Sequence, residues 1–467
     1  MNDFVFTPKN CWEVYGGPAH EKAATALAKR YIDFLTRCKT ERETVDYVRE
    51  RLEAAGFKEN GKGAKMFRIL QGKTIFAAIR GKGSLAEGLR LIGAHGDTPR
   101  LDLKQRPLTE QATVAQAKTH YYGGIRKYQW LARPLAIHGV VVREDGSKVR
   151  VLLGEDPAEP VFTIADLLPH LAASQAETPL AKAFEGEKLN LVFGHKPIPK
   201  AGGGKGGRKE AACPEGEAVK KNILALLHAK YKIREEDLYS AELQAVPAGP
   251  ARFVGLDSAL IGAYGHDDRS CVFTALEGFL DSGASVSHTR CIMFWDKEEI
   301  GSEGSTGAKS RFFEYCVRDL IAAWDPKTEF SRVMLATRAI SADVHAATDP
   351  DWQELHEKLN AALMGYGPCF CKFTGSRGKY EANDAHAEYV GWLRGVLNKA
   401  KIPWQMAELG KVDGGGGGTV AMHLAAYGMN IIDCGPAVLS MHSPFELVSV
   451  IDIYATKLAF REFFSAR

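Results

Sequence analysis

Apolar residues along this chain recur with two different periods, and the changes between them divide it into segments. From Glu21 to about Cys38 the spacing is helical; a second helical stretch opens at the capping box Thr40-Glu41-Arg42-Glu43 and stops at Gly56. Thr74 to Ile79 and Leu89 to Ala94 then read as strands. Between about Lys104 and Arg252 the texture becomes hairpin-like, with strands at Leu135 to Val142 and Val149 to Leu153 and turn signals such as Asp145-Gly146. After Phe253, strand-like runs (Arg290 to Trp295, Ser331 to Ser341, Asn430 to Cys434) alternate with helical ones (Ser305 to Ala323, Asp384 to Ala400, Ile451 to Phe464). Strand-helix alternation on both sides of the middle segment predicts an α/β fold with a mostly parallel sheet and helices on both faces. Residues 1–103 and 253–467 would form it, interrupted by a β-rich insertion over 104–252.

Composition narrows the function classes. A chain of 467 residues exceeds what one compact core holds, and 45% hydrophobic with 25% charged residues carries no disorder signature. A net charge of +3 gives no support for nucleic-acid binding. No apolar run approaches a membrane span and Met1 to Cys11 lacks a signal core, so a cytoplasmic protein with no membrane partner is expected. The 9 cysteines contain no C-x-x-C pair and read as reduced, mostly buried thiols. The glycine-rich stretch Lys200 to Lys209 fails the phosphate-loop pattern, because Arg208 stands where a lysine is needed, and reads as a solvated loop.

The chemistry lies in five short pieces, each following a run that reads as a strand: His95-Gly96-Asp97, Asp267-Asp268, Glu298-Glu299, Asp343 and Met441-His442-Ser443-Pro444. In open α/β sheets, sites gather at the carboxyl ends of strands. Singly, each piece has an ordinary reading as a hydrogen-bonded pair, a solvated acidic face or a turn. Together, in the order His, Asp, Glu-Glu, Asp, His, they match a two-metal hydrolase. A pair of divalent ions roughly 3.5–4 Å apart needs a carboxylate that touches both, with one or two further N/O ligands each. Asp267 suits the bridge, with His95 and Asp343 completing one ion and Glu299 and His442 the other. Asp268 suits a supporting role. Asp97 is placed to hold the His95 imidazole and serve catalysis by orienting it. Glu298 reads as the general base. Such a site hydrolyses peptide or amide bonds.

This ordered set resembles the aspartyl aminopeptidase family of co-catalytic zinc metallopeptidases, in its bacterial cytosolic branch, over nearly the whole chain. Gly93 to Pro99 is similar to the family's first zinc motif, with Gly96 where many members have threonine; Lys297 to Ser302 is similar to its base-and-ligand motif, and Ser440 to Ser443 with Glu446 to its last. Tyr122-Gly123-Gly124 and Trp130 to Leu135 are similar to segments of the family's insertion. The resemblance implies a metalloaminopeptidase with His95, Asp267, Glu299, Asp343 and His442 as ligands of two divalent ions and Glu298 as base. Zinc is the expected metal, with cobalt or manganese as alternatives. It also implies a cis peptide at Asp267-Asp268, a tetrahedral homododecamer assembled through the insertion, and short peptides with a free amino terminus as substrates.

The stretch Lys372 to Arg377 followed by Asn383 looks like the segment lining the family's substrate pocket, and the resemblance marks Lys372, Arg377, His345, Gly417 and Thr419 as substrate-binding. Two departures stand out. Asp343-Val344-His345-Ala346-Ala347 has its histidine displaced by one from the family's D-x-A-H-A, and Ser174 replaces a histidine that acidic-specific members lend to a neighbouring subunit. Broad or neutral side-chain preference is expected in place of strict Asp/Glu preference. The competing readings are a dipeptidase, carboxypeptidase or N-acyl-amino-acid deacylase on the same scaffold, and a catalytically inactive assembly protein.

Overall fold

The structure, a computed structural model, describes residues 4–199, 217–283 and 286–467, and the glycine-rich stretch Lys200 to Lys209 lies outside the described residues. The chain divides into two compact units, Met1–Thr98 with Pro250–Arg467, and Pro99–Gly249.

In the first unit a nine-stranded sheet, counted among the described residues, has a parallel centre: Thr289–Trp295, Leu89–His95, Arg338–Ala342 and Asn430–Gly435 in that spatial order. Thr74–Ile79 joins one side of this centre and Cys369–Cys371 the other, both antiparallel. Side chains alternate across a strand. Ile92, Ala94, Ile292, Phe294 and Ile340 therefore enter one core, under the helices Pro18–Arg37, His266–Leu280, Ala387–Lys399 and Val450–Ser465. Leu89, Leu91, Cys291, Met293 and Ala339 enter the other, under Phe312–Trp324 and Phe330–Ala336. Burial on both faces explains why these strands read as continuous apolar runs. The chain has the mixed α/β architecture expected. A separate five-stranded sheet includes Leu260–Ala263, Glu446–Ser449 and Ala437–Leu439.

Local signals held where their physics is local. Thr40 caps the helix Glu41–Ala54, its hydroxyl accepting from the Glu43 N–H at 3.3 Å while Glu43 Oε2 accepts from the Lys39 N–H at 2.9 Å. Two expected elements differ. The run Ser331 to Ser341 is a helix, Phe330–Ala336, followed by the strand Arg338–Ala342; a short apolar run does not distinguish the two by period. The helix expected from Ser305 begins only at Phe312. Before it, a Cβ at Gly307 would sit 2.2 Å from the Ser302 carbonyl oxygen, and Thr306 is tied to Asp296 at 2.7 Å, so the chain loops there. The Asp267-Asp268 bond is cis.

The second unit carries a seven-stranded sheet, antiparallel throughout its described pairings, with Leu135–Val142 beside Lys148–Leu153. It also contains the 14-residue helix Ala218–Tyr231, absent from the hairpin pattern of its sequence.

Gly93 has no room for a side chain: a Cβ there would meet the Trp295 ring at 2.4 Å. Gly93→Ala should destabilise the protein by about 1–3 kcal/mol through overpacking. Denaturant unfolding checks this, and an unchanged midpoint and slope would show that Trp295 gives way freely.

Candidate metal centre

Each acid and imidazole of the site is delivered by a backbone feature that the fold fixes. His95 ends the central strand Leu89–His95. Its Nδ1 faces the Asp97 carbonyl oxygen at 3.0 Å and Asp97 Oδ1 at 3.3 Å, which leaves Nε2 for the site. The two oxygens of Asp97 also accept from the Glu298 and Glu299 N–H groups, each at 3.2 Å. One buried carboxylate thus orients the imidazole and clamps the neighbouring turn. That turn follows Thr289–Trp295 through Lys297, whose φ of 70° swings Glu298 and Glu299 round.

Asp267 comes four residues after the strand Leu260–Ala263, at the start of the helix His266–Leu280. Backbone angles at Asp267 and Asp268 are non-helical, and Gly265 precedes them at φ 77° with the Arg269 guanidinium where a Cβ would stand. Arg269 donates to the Tyr264 carbonyl at 2.7 Å and pins this bend. Thr98 Oγ1 donates to the Asp267 carbonyl at 3.0 Å.

The side chains converge around Asp267. Its Oδ1 is 3.3 Å from His95 Nε2, and its Oδ2 is 3.1 Å from His442 Nε2. On the first side Asp343 Oδ1 and Glu298 Oε2 each lie 3.9 Å from His95 Nε2; on the second Glu299 Oε2 lies 3.5 Å from His442 Nε2. Donor atoms of His95, Glu298 and Asp343, and of His95, Asp267 and Glu299, fall within 4.8 Å of one another. The Asp267 side chain is 5% exposed, whereas Glu298 and Asp343 are 16% and His442 35% exposed, so one side is open to water and substrate.

Electrostatics fit a divalent cation. Burial pushes Glu298 up to about 8, and it raises Glu299, Asp268 and Asp343 above their ordinary range. Burial would raise Asp267 too, but hydrogen bonds from His442 and His95 hold it below the usual carboxylate range. Burial would lower His442, yet Asp267 and Glu299 carry it up to about 11. Both Asp268 oxygens and Glu299 Oε1 are buried without a hydrogen-bond partner among the described residues. Crowded, partly unpartnered carboxylates facing imidazole nitrogens form the O/N donor set that zinc takes, and a cation would relieve their repulsion.

The chain matches the family model "Aminopeptidase I zinc metalloprotease (M18)" over residues 34–464. A Clostridium acetobutylicum protein named "Probable M18 family aminopeptidase 1" is 44% identical, covering 99% of both chains. The crystal structure of an M18 aminopeptidase from Thermotoga maritima superposes with a TM-score of 0.90 at 42% identity, over 99% of this chain and 100% of that one. This chain belongs to the M18 family of zinc aminopeptidases. It is a hydrolase acting on peptide bonds, which sets aside the deacylase and inactive-scaffold readings. A more distant structure, the S. cerevisiae mApe1 dodecamer, shares the fold at 20% identity and a TM-score of 0.75.

Other residues expected at the site fall differently. His345 is buried, its Nδ1 against the Ala346 carbonyl at 3.2 Å. Lys372 is exposed and pairs with Asp384 at 3.6 Å, and Arg377 is exposed without an ion pair among the described residues. Gly417 pairs across a short ladder with Gly375, and Thr419 Oγ1 donates to Asp433 at 2.6 Å.

Glu446, quoted in the last sequence motif without a role, proves central. Its Oε1 accepts from the His442 N–H at 2.7 Å and its Oε2 from the Asp267 N–H at 3.0 Å, tying together two residues 175 positions apart. Glu446→Ala should lower zinc affinity roughly 10–100-fold, the usual effect of losing such a support. Competition with a chromophoric chelator measures this, and wild-type affinity would remove Glu446 from the scaffold of the site.

Proposed function

We propose that this enzyme removes single amino-terminal residues from short peptides, using two zinc ions and Glu298 as general base. The observation that carries the reading is Asp267, whose two oxygens face two different histidines, each with a further carboxylate beside it. His95 and Asp343 would hold one ion, Glu299 and His442 the other, with Asp267 between. When bound, such ions polarise the scissile carbonyl and acidify the attacking water.

The chain's own groups do the rest. Glu298, on the open side, is not needed as a ligand. Burial has already raised its proton affinity, so it can take a proton from water and pass it to the departing amine. Asp97 holds the Glu298 and Glu299 amides in place, keeping base and ligand in fixed relation. It acts by positioning, set behind His95 away from the open side.

Side-chain preference is broad or neutral in this reading. Lys372 and Lys379 share the single carboxylate of Asp384, at 3.6 and 3.1 Å, so this exposed cluster keeps a positive charge and the neutral preference rests on two other departures. His345 turns to its own backbone, and Ser174 has no imidazole to lend. A closed dodecamer of about twelve times 51.1 kDa, assembled through the Pro99–Gly249 unit in a cytosolic setting, is the assembly we favour. The dodecameric form of a structure sharing this fold supports it. No helix among the described residues is long and apolar enough to cross a membrane, in keeping with that setting.

Glu298→Gln should keep its zinc while turnover falls roughly 10²–10⁴-fold, since a positioned base contributes about that much. Elemental analysis beside aminoacyl p-nitroanilide kinetics tests it, and surviving activity or lost zinc would contradict the role. Leu, Met and Ala substrates should be cleaved at least as efficiently as Asp and Glu ones, and amino-acetylated versions not at all. An acidic preference of roughly tenfold, about 1.4 kcal/mol of discrimination, would overturn the neutral pocket.

A further inference from the structure

Three arginines stand side by side at the beginning of the strands whose far ends lead to His95, Glu298-Glu299 and Asp343. In the parallel register Arg290 pairs with Arg90, and Arg338 pairs with the same Arg90. Residues in register on neighbouring strands share a face. Arg290 and Arg90 are 1% and 2% exposed, and Arg338 is half-buried.

No carboxylate pairs with any of the three among the described residues. Among the described residues Arg90 Nη2 meets the Nε2 of His288 at 3.3 Å, and its buried Nε has no hydrogen-bond partner. Arg290 directs Nη1 to the Ser282 and Gly283 carbonyls at 3.1 and 2.7 Å and to Ser282 Oγ at 2.5 Å; its Nε and Nη2 have no hydrogen-bond partner among the described residues. His288 Nδ1 is unpartnered as well. Burial lowers His288 to about 4, so it adds no charge of its own near neutral pH. The face of Trp392 takes the Arg338 guanidinium at 4.1 Å and that of Arg90 at 5.2 Å, and the indole N–H, donating to the Arg467 carbonyl at 3.2 Å, holds the ring.

Buried guanidinium groups need a counter-charge or a π face. Trp392 serves Arg90 and Arg338 through that face, and among the described residues the Nε–H of Arg90 remains unmet. Planar forks of this kind match the oxygens of a phosphate-like anion in a bidentate manner. We propose that Arg90 and Arg338, with Arg290 and His288 beside them, bind a small tetrahedral oxyanion of the phosphate class. Half-buried Arg338 gives it access. The site lies roughly 17 Å along the strand from His95, counting five residues at about 3.3 Å each, and so is separate from the metal centre. An anion there would tie together, at their starts, the three strands that deliver metal ligands and base at their ends.

Zinc-loaded enzyme titrated with sodium sulfate and with inorganic phosphate, against sodium chloride at equal ionic strength, tests the proposal by calorimetry and thermal unfolding. Sulfate and phosphate should bind saturably and raise the unfolding midpoint, and chloride should not. Arg338→Met, at a half-buried position where an aliphatic chain can still cover Trp392, should weaken sulfate binding by about tenfold or more. Arg90→Lys keeps the charge, loses the fork and should do the same, which covers the case of an Arg338 variant that fails to fold. An equal response to chloride, or sulfate binding untouched in a folded variant, would overturn the site. Acetate binding as well as sulfate would overturn the tetrahedral assignment.

Discussion

The carboxylate of Asp267, buried between the imidazoles of His95 and His442, sets the spacing of the other groups at this centre. Each of its oxygens is committed to one histidine, at 3.3 and 3.1 Å, so the two halves of the site cannot move independently. Those contacts hold Asp267 below the ordinary carboxylate range despite its burial, and they raise both histidines. For its neighbours Asp268, Glu298, Glu299 and Asp343 burial outweighs what the histidines offer, and all are pushed up. Such crowding costs stability in the empty protein, and a bound cation converts it into affinity.

Holding this arrangement demands supports that are themselves buried and shared. Asp97 serves His95, Glu298 and Glu299 at once, and Glu446 serves Asp267 and His442. Close backbone approaches complete the frame. A Cβ at Gly435 would stand 2.1 Å from the Asp343 carbonyl oxygen, and one at Gly93 would enter the Trp295 ring. The central strands can therefore bring His95 and Asp343 into register only with glycine at these places.

The parts of this centre that were legible in the sequence are those governed by local pattern. Leu89 to Ala94 is apolar at every position except Arg90 and Gly93 because it is buried on both faces, so its end, and His95 with it, could be read directly. Asp267 was read at a strand end, and it follows the strand Leu260–Ala263 by four residues, but on a bent helix start that the sequence did not show. The helix His266–Leu280 is buried nearly all round and shows no polar stripe from which to read its period. Glu446 gave no local sign of its role, since its partners are backbone amides that only the tertiary fold brings together. Lys372 was marked as substrate-binding by resemblance; its ion pair with Asp384 is an exposed contact that a sequence leaves open.

If Asp267 bridges two ions, their binding should be coupled and their number fixed. Calorimetric titration of metal-free enzyme with zinc measures both directly. The account predicts two equivalents per chain, with His442→Ala reduced to a single, weaker equivalent because loss of one half disturbs the shared carboxylate. A single equivalent in the unaltered protein, or two undiminished equivalents in the variant, would contradict it.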